Sequence, residues 1–150
     1  MTVISGSATA DVDAPLERCW AVVEDVPSAP EWQGGLETMD VVERDEEGRA
    51  LVVETISDAK VRKVKSRVRF SYDAPNRLSW HQIDDGDLHS LEGYWELESL
   101  GDQRTRVTYG LSVDPGSVPR LARVPIERAA RAILLNPRPK ELARRVGSDA

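Results

Sequence analysis

His81, His89 and Cys19 are the side chains of this 150-residue chain whose ordinary pKa values suit them to proton transfer or nucleophilic attack near neutral pH. The two histidines flank Asp84-Asp85-Gly86-Asp87, which lacks the alternate-residue ligand spacing of a calcium loop and reads as a hairpin turn. By alternation from Trp80, His81 points outward, and His89 is placed no better for an interior role. Cys19 stands beside Trp20 and Glu17 rather than in a basic neighbourhood, so it reads as a small core residue. No Gly-x-Ser-x-Gly elbow and no phosphate-cradling glycine loop is present. These observations assign no catalytic residue, no metal site and no cofactor. What remains is a set of aromatic residues, Trp32, Phe70, Trp80, Trp95 and Tyr109, with broad apolar faces and a few N–H or O–H handles. That chemistry suits the holding of a hydrophobic or aromatic small molecule.

The elements that must position these residues follow from periodicity. Residues 2–12 read as a strand, and Pro15 opens a helix on which Leu16, Cys19, Trp20, Val23 and Val26 share a face. Pro27, Pro30, Gly34 and Gly35 break the next segment into short turns around Trp32. A period of two then predicts strands over 36–44, 49–58, 61–72, 77–83, 88–100 and 104–113, joined by short turns. In the third of these, Val64, Ser66, Val68, Phe70 and Tyr72 alternate with Lys63, Lys65, Arg67 and Arg69, so the basic face must be wet.

The stretch 118–135 carries an apolar stripe of Val118, Leu121, Ala122, Ile126, Ala129, Ala130 and Ile133 at helical spacing. Ser117 is placed as its N-cap and Pro119 in its first turn. Pro125 has no amide hydrogen for the Leu121 carbonyl and is expected to bend the helix. Asn136-Pro137-Arg138-Pro139 stops it. Residues 136–150 then form either a short basic helix, with Leu142, Ala143 and Val146 as its apolar set, or a frayed tail. Successive hairpin links imply an antiparallel meander whose apolar face curls around the long helix, an α+β arrangement of seven strands in one domain. Small residues on the helix stripe leave room between helix and sheet, the first sign of a pocket.

The net charge of -6 conceals segments of opposite sign. Lysines and arginines stand at 3 against 14 acidic residues over 1–59, at 6 against none over 60–72, at 3 against 9 over 73–117 and at 8 against 3 over 118–150. Blocks of this kind are usually solvated faces paired with acidic neighbours. One cysteine excludes an intrachain disulfide. No apolar run reaches membrane-spanning length, and the N-terminus lacks the basic start and apolar centre of a signal peptide, so a cytoplasmic protein is expected. The basic strand has no exposed aromatic platform beside it, which argues against nucleic acid as a partner.

Ala14-Pro15, Cys19-Trp20, Asp25, Pro30-Glu31-Trp32, Arg77-Leu78-Ser79-Trp80, Gly93-Tyr94-Trp95 and Thr105-Arg106-Val107-Thr108-Tyr109, in this order, resemble the polyketide cyclase/dehydrase and lipid-transport group of the START and Bet v 1 superfamily (SRPBCC). The likeness spans residues 3 to about 135. It implies a helix-grip fold, a seven-stranded antiparallel sheet around a long C-terminal helix, with an apolar cavity between them for a hydrophobic or aromatic small molecule. Alternation and the helix stripe predict the lining as Val68, Phe70, Trp80, Gln82, Trp95, Tyr109, Leu111, Ile126, Ala129 and Ile133, with Trp32 near the mouth. Some aromatic polyketide cyclases of this group carry an inward arginine late in the fourth strand. Phe70 stands there in this chain, with Arg67 and Arg69 on the opposite face, which argues against cyclase chemistry.

Three functions fit these observations. The first is a carrier, sensor or accessory protein that binds a hydrophobic small molecule. The second is a cyclase, aromatase or dehydrase that works mainly by positioning its substrate. The third is an interaction module in which Lys63, Lys65, Arg67 and Arg69 join Arg138, Lys140 and Arg144 on one surface. A homodimer is compatible with the C-terminal segment packing on a second copy.

Overall fold

The computed structural model of the protein describes residues 3–58, 63–84, 86–116 and 120–148. Seven strands, β1 (Ile4–Val12), β2 (Leu36–Arg44), β3 (Ala50–Asp58), β4 (Lys63–Asp73), β5 (Arg77–Gln82), β6 (Ser90–Gly101) and β7 (Arg104–Asp114), form one antiparallel sheet in the order β1-β7-β6-β5-β4-β3-β2. Six consecutive strands are thus a meander, and β1 closes it by pairing with the last. Between β1 and β2 lie α1 (Leu16–Glu24) and a 3-10 helix, Val26–Glu31. After β7 come α2 (Arg120–Ala130), a π-helical turn over Arg131–Leu135 and α3 (Arg138–Ser148). This is the helix-grip α+β fold. The placements of Ser117, Val118 and Pro119 at the start of the long helix, and of residues 61 and 62 in the fourth strand, lie outside the described residues.

Strand alternation divides the sheet as the sequence requires. Val68, Phe70, Leu78, Trp95, Leu97, Val107 and Tyr109 are buried, whereas Arg69, Ser71, His81, Glu92, Glu96 and Arg106 are exposed. The outer face is laced with ion pairs: Lys63 to Glu37 at 3.1 Å, Arg67 to Glu54, and Arg106 to Asp11 at 3.0 Å. Arg106 foremost, and Arg104 with it, hold the Asp11 carboxyl below its ordinary range. Lys63 and Arg67 of the basic strand are thus paired with acidic neighbours on the outer face.

The helical layer departs from expectation at both ends. Leu121, placed on the apolar stripe by its spacing, is 94% exposed, and Val124 beside it is 58% exposed. The first turns of α2 run clear of the sheet, and only from Ile126 onward does the helix face inward. Pro125 lies inside α2 as the sequence demands. The irregularity that reshapes the helix falls later, where the Asn136 amide donates to the Arg131 carbonyl at 2.8 Å, a five-residue step. Asn136 keeps right-handed helical dihedrals (φ −59°, ψ −38°) although a proline follows it, so the chain passes almost directly into α3.

α3 is part of the core rather than a frayed tail. Leu142 and Val146 are buried to 0% and 2% exposure in the core cluster that holds Val12, Cys19 and Trp20, and Arg18 of α1 donates to the Val146 carbonyl at 2.7 Å. Removing apolar surface of that size from water stabilises by about 1.5–3 kcal/mol per side chain. Cys19 is fully buried in the same cluster, and burial pushes its thiol pKa up, away from the reactive thiolate.

Candidate functional site

Two cross-strand rows build the inner face of the sheet. Register places Phe70 opposite Trp80, Trp80 opposite Gly93 and Gly93 opposite Leu111; the next row runs Tyr72, Leu78, Trp95 and Tyr109. Gly93 is what lets the first row form. A Cβ at that position would stand 2.5 Å from Trp80 Cζ2, so the indole of Trp80 lies in the space where a side chain would be. The rings then follow one another in contact: Phe70 to Trp80 at 5.6 Å between centroids, Trp80 to Tyr109 at 5.7 Å, Tyr109 to Trp95 at 4.8 Å and Trp95 to Trp32 at 5.9 Å. Tyr109 is the hub.

Against this aromatic surface lies a cavity of about 150 Å³. α1 and the 3-10 helix contribute Val23, Val26 and Ala29, the sheet contributes Val68, Leu78, Leu91 and Val113, and the last helical layer contributes Ile126, Ala130, Leu134 and Leu135. An enclosed apolar void of roughly this size takes up a benzene ring. Among the described residues of its lining none is Asp, Glu, His, Lys or Cys. Its polar members are few, chiefly Ser66, Thr55, Tyr109, the Trp32 indole, Arg131 and Arg138.

Trp32, Val68, Phe70, Trp80, Trp95, Tyr109, Leu111 and Ile126 all line this cavity. Gln82, Ala129 and Ile133 do not. Gln82 lies on the correct face, but its amide is consumed as a clamp: Oε1 accepts from Ser66 Oγ at 2.9 Å, and Nε2 donates to the Asp84 and Leu88 carbonyls at 3.0 and 2.9 Å. Ala129 precedes the π turn and is half-buried beside the regular step from Ile126 to Ala130. The π turn accounts for Ile133: its extra residue carries the inward stripe on from Ala130 to Leu134 and Leu135. Ile133 instead packs on Gly35, whose φ of +77° excludes an ordinary side chain and where a Cβ would stand 2.7 Å from Ile133 Cγ2. The indole of Trp32 packs against Trp95, with its nitrogen buried.

Sequence reasoning missed Arg138. It is 3% exposed, with its guanidinium carbon 5.8 Å from the Tyr109 ring centroid, and it lines the cavity. It is therefore not available to a basic surface shared with Lys63, Lys65, Arg67 and Arg69. Nη1 donates to the Gly34 carbonyl and to Glu141 Oε1, both at 2.8 Å, while Glu141 Oε2 accepts from the Gly34 amide at 2.8 Å. A signal was present: Arg138 stands four and eight residues before Leu142 and Val146, on the buried stripe of α3. Burial pushes the Tyr109 phenol pKa up, with the Arg138 charge working against it, so the hydroxyl keeps its proton at neutral pH.

His81 and His89 are exposed, outside this cavity. No helix among the described residues is long and apolar enough to cross a membrane.

Comparison with known proteins agrees with this architecture. The family described as polyketide cyclase / dehydrase and lipid transport matches residues 12–135. A START superfamily protein from Mycobacterium smegmatis superposes with a TM-score of 0.82 at 21% identity, over 97% of this chain and 99% of that one. A protein of Thermus thermophilus does so with a TM-score of 0.83 at 22% identity, over 97% and 99%. The Zhui aromatase/cyclase from a Streptomyces species has a TM-score of 0.78 at 14% identity, over 97% and 94%. No curated protein matches the chain in sequence.

Proposed function

The chain belongs to the polyketide cyclase / dehydrase and lipid transport family, and we propose that it binds a hydrophobic small molecule with a ring system in the cavity between sheet and helix, as a carrier, sensor or accessory protein. The observation that carries this reading is the unbroken run of aromatic faces from Phe70 to Trp32 along one wall of an apolar void. A filled interior would have interdigitated at that position. Burying a bicyclic hydrocarbon against those rings removes apolar area from water on both sides, the dominant favourable term in such pockets.

Binding without turnover fits the groups at hand. Proton transfer needs a titratable side chain within reach of the reacting atom. Tyr109 keeps its proton, Arg138 is committed to Glu141, and Glu141 has both oxygens engaged. Phe70 occupies the inward position late in the fourth strand, and Arg67 and Arg69 face away from the cavity.

Filling the cavity tests the proposal. Ala130→Phe adds a ring on the helix side of the void without touching the aromatic wall. Titration of tetralin, followed by tryptophan fluorescence, is expected to show saturable binding to the native protein and at least about tenfold weaker binding to the variant, a difference of ~1.4 kcal/mol. Equal binding by the two proteins would place the ligand elsewhere and refute the reading.

A further inference from the structure

Of the five rings in contact along the cavity, four stand on strands: Phe70 on β4, Trp80 on β5, Trp95 on β6 and Tyr109 on β7. Ladder hydrogen bonds fix their backbones. Trp32 is the exception, because it lies between the 3-10 helix and β2 and is followed by Gly34 and Gly35. On one side its own amide closes the 3-10 turn on the Ala29 carbonyl at 3.1 Å, and on the other the sheet begins where the Asp58 amide donates to the Gly35 carbonyl at 2.6 Å. The indole nitrogen has no hydrogen-bond partner among the described residues, so the ring is placed by packing and by its backbone.

That backbone is held by α3. The Gly34 amide donates to Glu141 Oε2, the Gly34 carbonyl accepts from Arg138 Nη1, and the same nitrogen donates to Glu141 Oε1, each at 2.8 Å. One ion pair thus grips both polar groups of a single backbone residue, two positions beyond Trp32. Gly34 is itself exposed, so these bonds do what packing does for a buried residue. The side chains of Arg138 and Glu141 are only 3% and 12% exposed, shielded from the water that weakens surface pairs. Leu142 and Val146 anchor the same helix in the core. A side chain at Gly34 would intrude on the contact, since a Cβ there would stand 2.9 Å from Glu141 Oε2. On the near side of Trp32, Arg145 donates to Glu31 Oε1 at 3.0 Å, a more exposed tie that contributes less.

We propose that Arg138 and Glu141 are positioning residues for the ligand site: by holding the Gly34 backbone they keep the Trp32 ring against Trp95, so that the affinity of the cavity for a ring-bearing molecule depends on α3. This rests on the reading that the cavity takes such molecules, and it names the element outside the sheet that completes the wall. Arg138 also lines the cavity, whereas Glu141 does not, so Glu141 isolates the positioning role.

The test is a double-mutant cycle with tetralin titrated calorimetrically. Glu141→Gln leaves one acceptor oxygen, enough for Arg138 or for Gly34 but not for both. Gly34→Ala disturbs the same contact from the other side and removes no charge, so it carries the test if Glu141→Gln does not fold. Each is expected to weaken binding about five- to tenfold in the native protein, and by less than about twofold in a Trp32→Leu background, because effects that pass through one group do not add. A merely structural role would lower affinity equally in both backgrounds. In either variant the nuclear magnetic resonance signal of the Trp32 indole N–H is expected to move while that of Trp20 stays in place. Undiminished affinity, equal losses in the two backgrounds, or an unmoved Trp32 signal overturns the positioning role and leaves the hydrophobic cavity standing. Failure of the native protein to bind tetralin overturns the cavity reading, and this proposal with it.

Discussion

Tyr72 shows how one buried hydroxyl ties local structure to pH. Its O–H donates to the Ala50 carbonyl at 2.5 Å, joining the end of β4 to the start of β3, and burial pushes its pKa up to about 12. A tyrosine in an unfolded chain titrates near 10. The fold therefore favours the protonated form, and the stability from that preference is complete below about pH 10, declines as pH rises, and is gone above about 12. A rapid pH jump followed by tyrosinate absorbance, native protein minus Tyr72→Phe, is expected to show a step near 12. A step near 10 would mean that Tyr72 is solvated. Gly93 makes a steric point at the same scale. Because Trp80 Cζ2 occupies the place of its missing Cβ, Gly93→Val should displace the Trp80 indole and lower affinity for an aromatic probe by about tenfold or more, read by the same fluorescence titration.

At the scale of elements, the strands were legible and the last helical layer only partly so. Alternation fixed the sheet because a one-residue slip would turn Val68, Phe70 and Trp95 to solvent, so residue pattern and register constrain each other. A helix stripe has weaker restraint. Spacing alone put Leu121, Ala129 and Ile133 inward, but the first turns of α2 run clear of the sheet and the π turn at Arg131–Leu135 shifts the stripe at Ile133, and no short-range pattern distinguishes that turn from an ordinary one. Arg138 escaped notice because charge was read as exposure, although its place on the stripe with Leu142 and Val146 argued otherwise. A paired substitution tests the resulting assignment. Leu142→Ala should cost about 2–5 kcal/mol in urea unfolding, because Leu142 is fully buried, and Leu121→Ala should fall within roughly 0.5 kcal/mol of the native protein. Similar losses at the two positions would contradict a buried α3 and an outlying start of α2.

On the scale of the whole molecule, the sheet supplies an aromatic wall, α1 and the 3-10 helix close one side, and the α2 to α3 segment closes the other while bringing Arg138 beneath Tyr109. The first turns of α2 stand away from the sheet with Leu121 and Val124 exposed. Four tryptophans divide between these regions in a way that makes the central claim measurable. Trp32, Trp80 and Trp95 line the cavity, whereas Trp20 is 6% exposed, held by Glu24 and absent from the lining. The most direct measurement is the nuclear magnetic resonance spectrum of the four indole N–H groups as tetralin is added. Binding in the cavity predicts that the signals of Trp32, Trp80 and Trp95 move together and saturate while that of Trp20 stays in place. Four unmoved signals, or a displacement of Trp20 as large as the others, would contradict it.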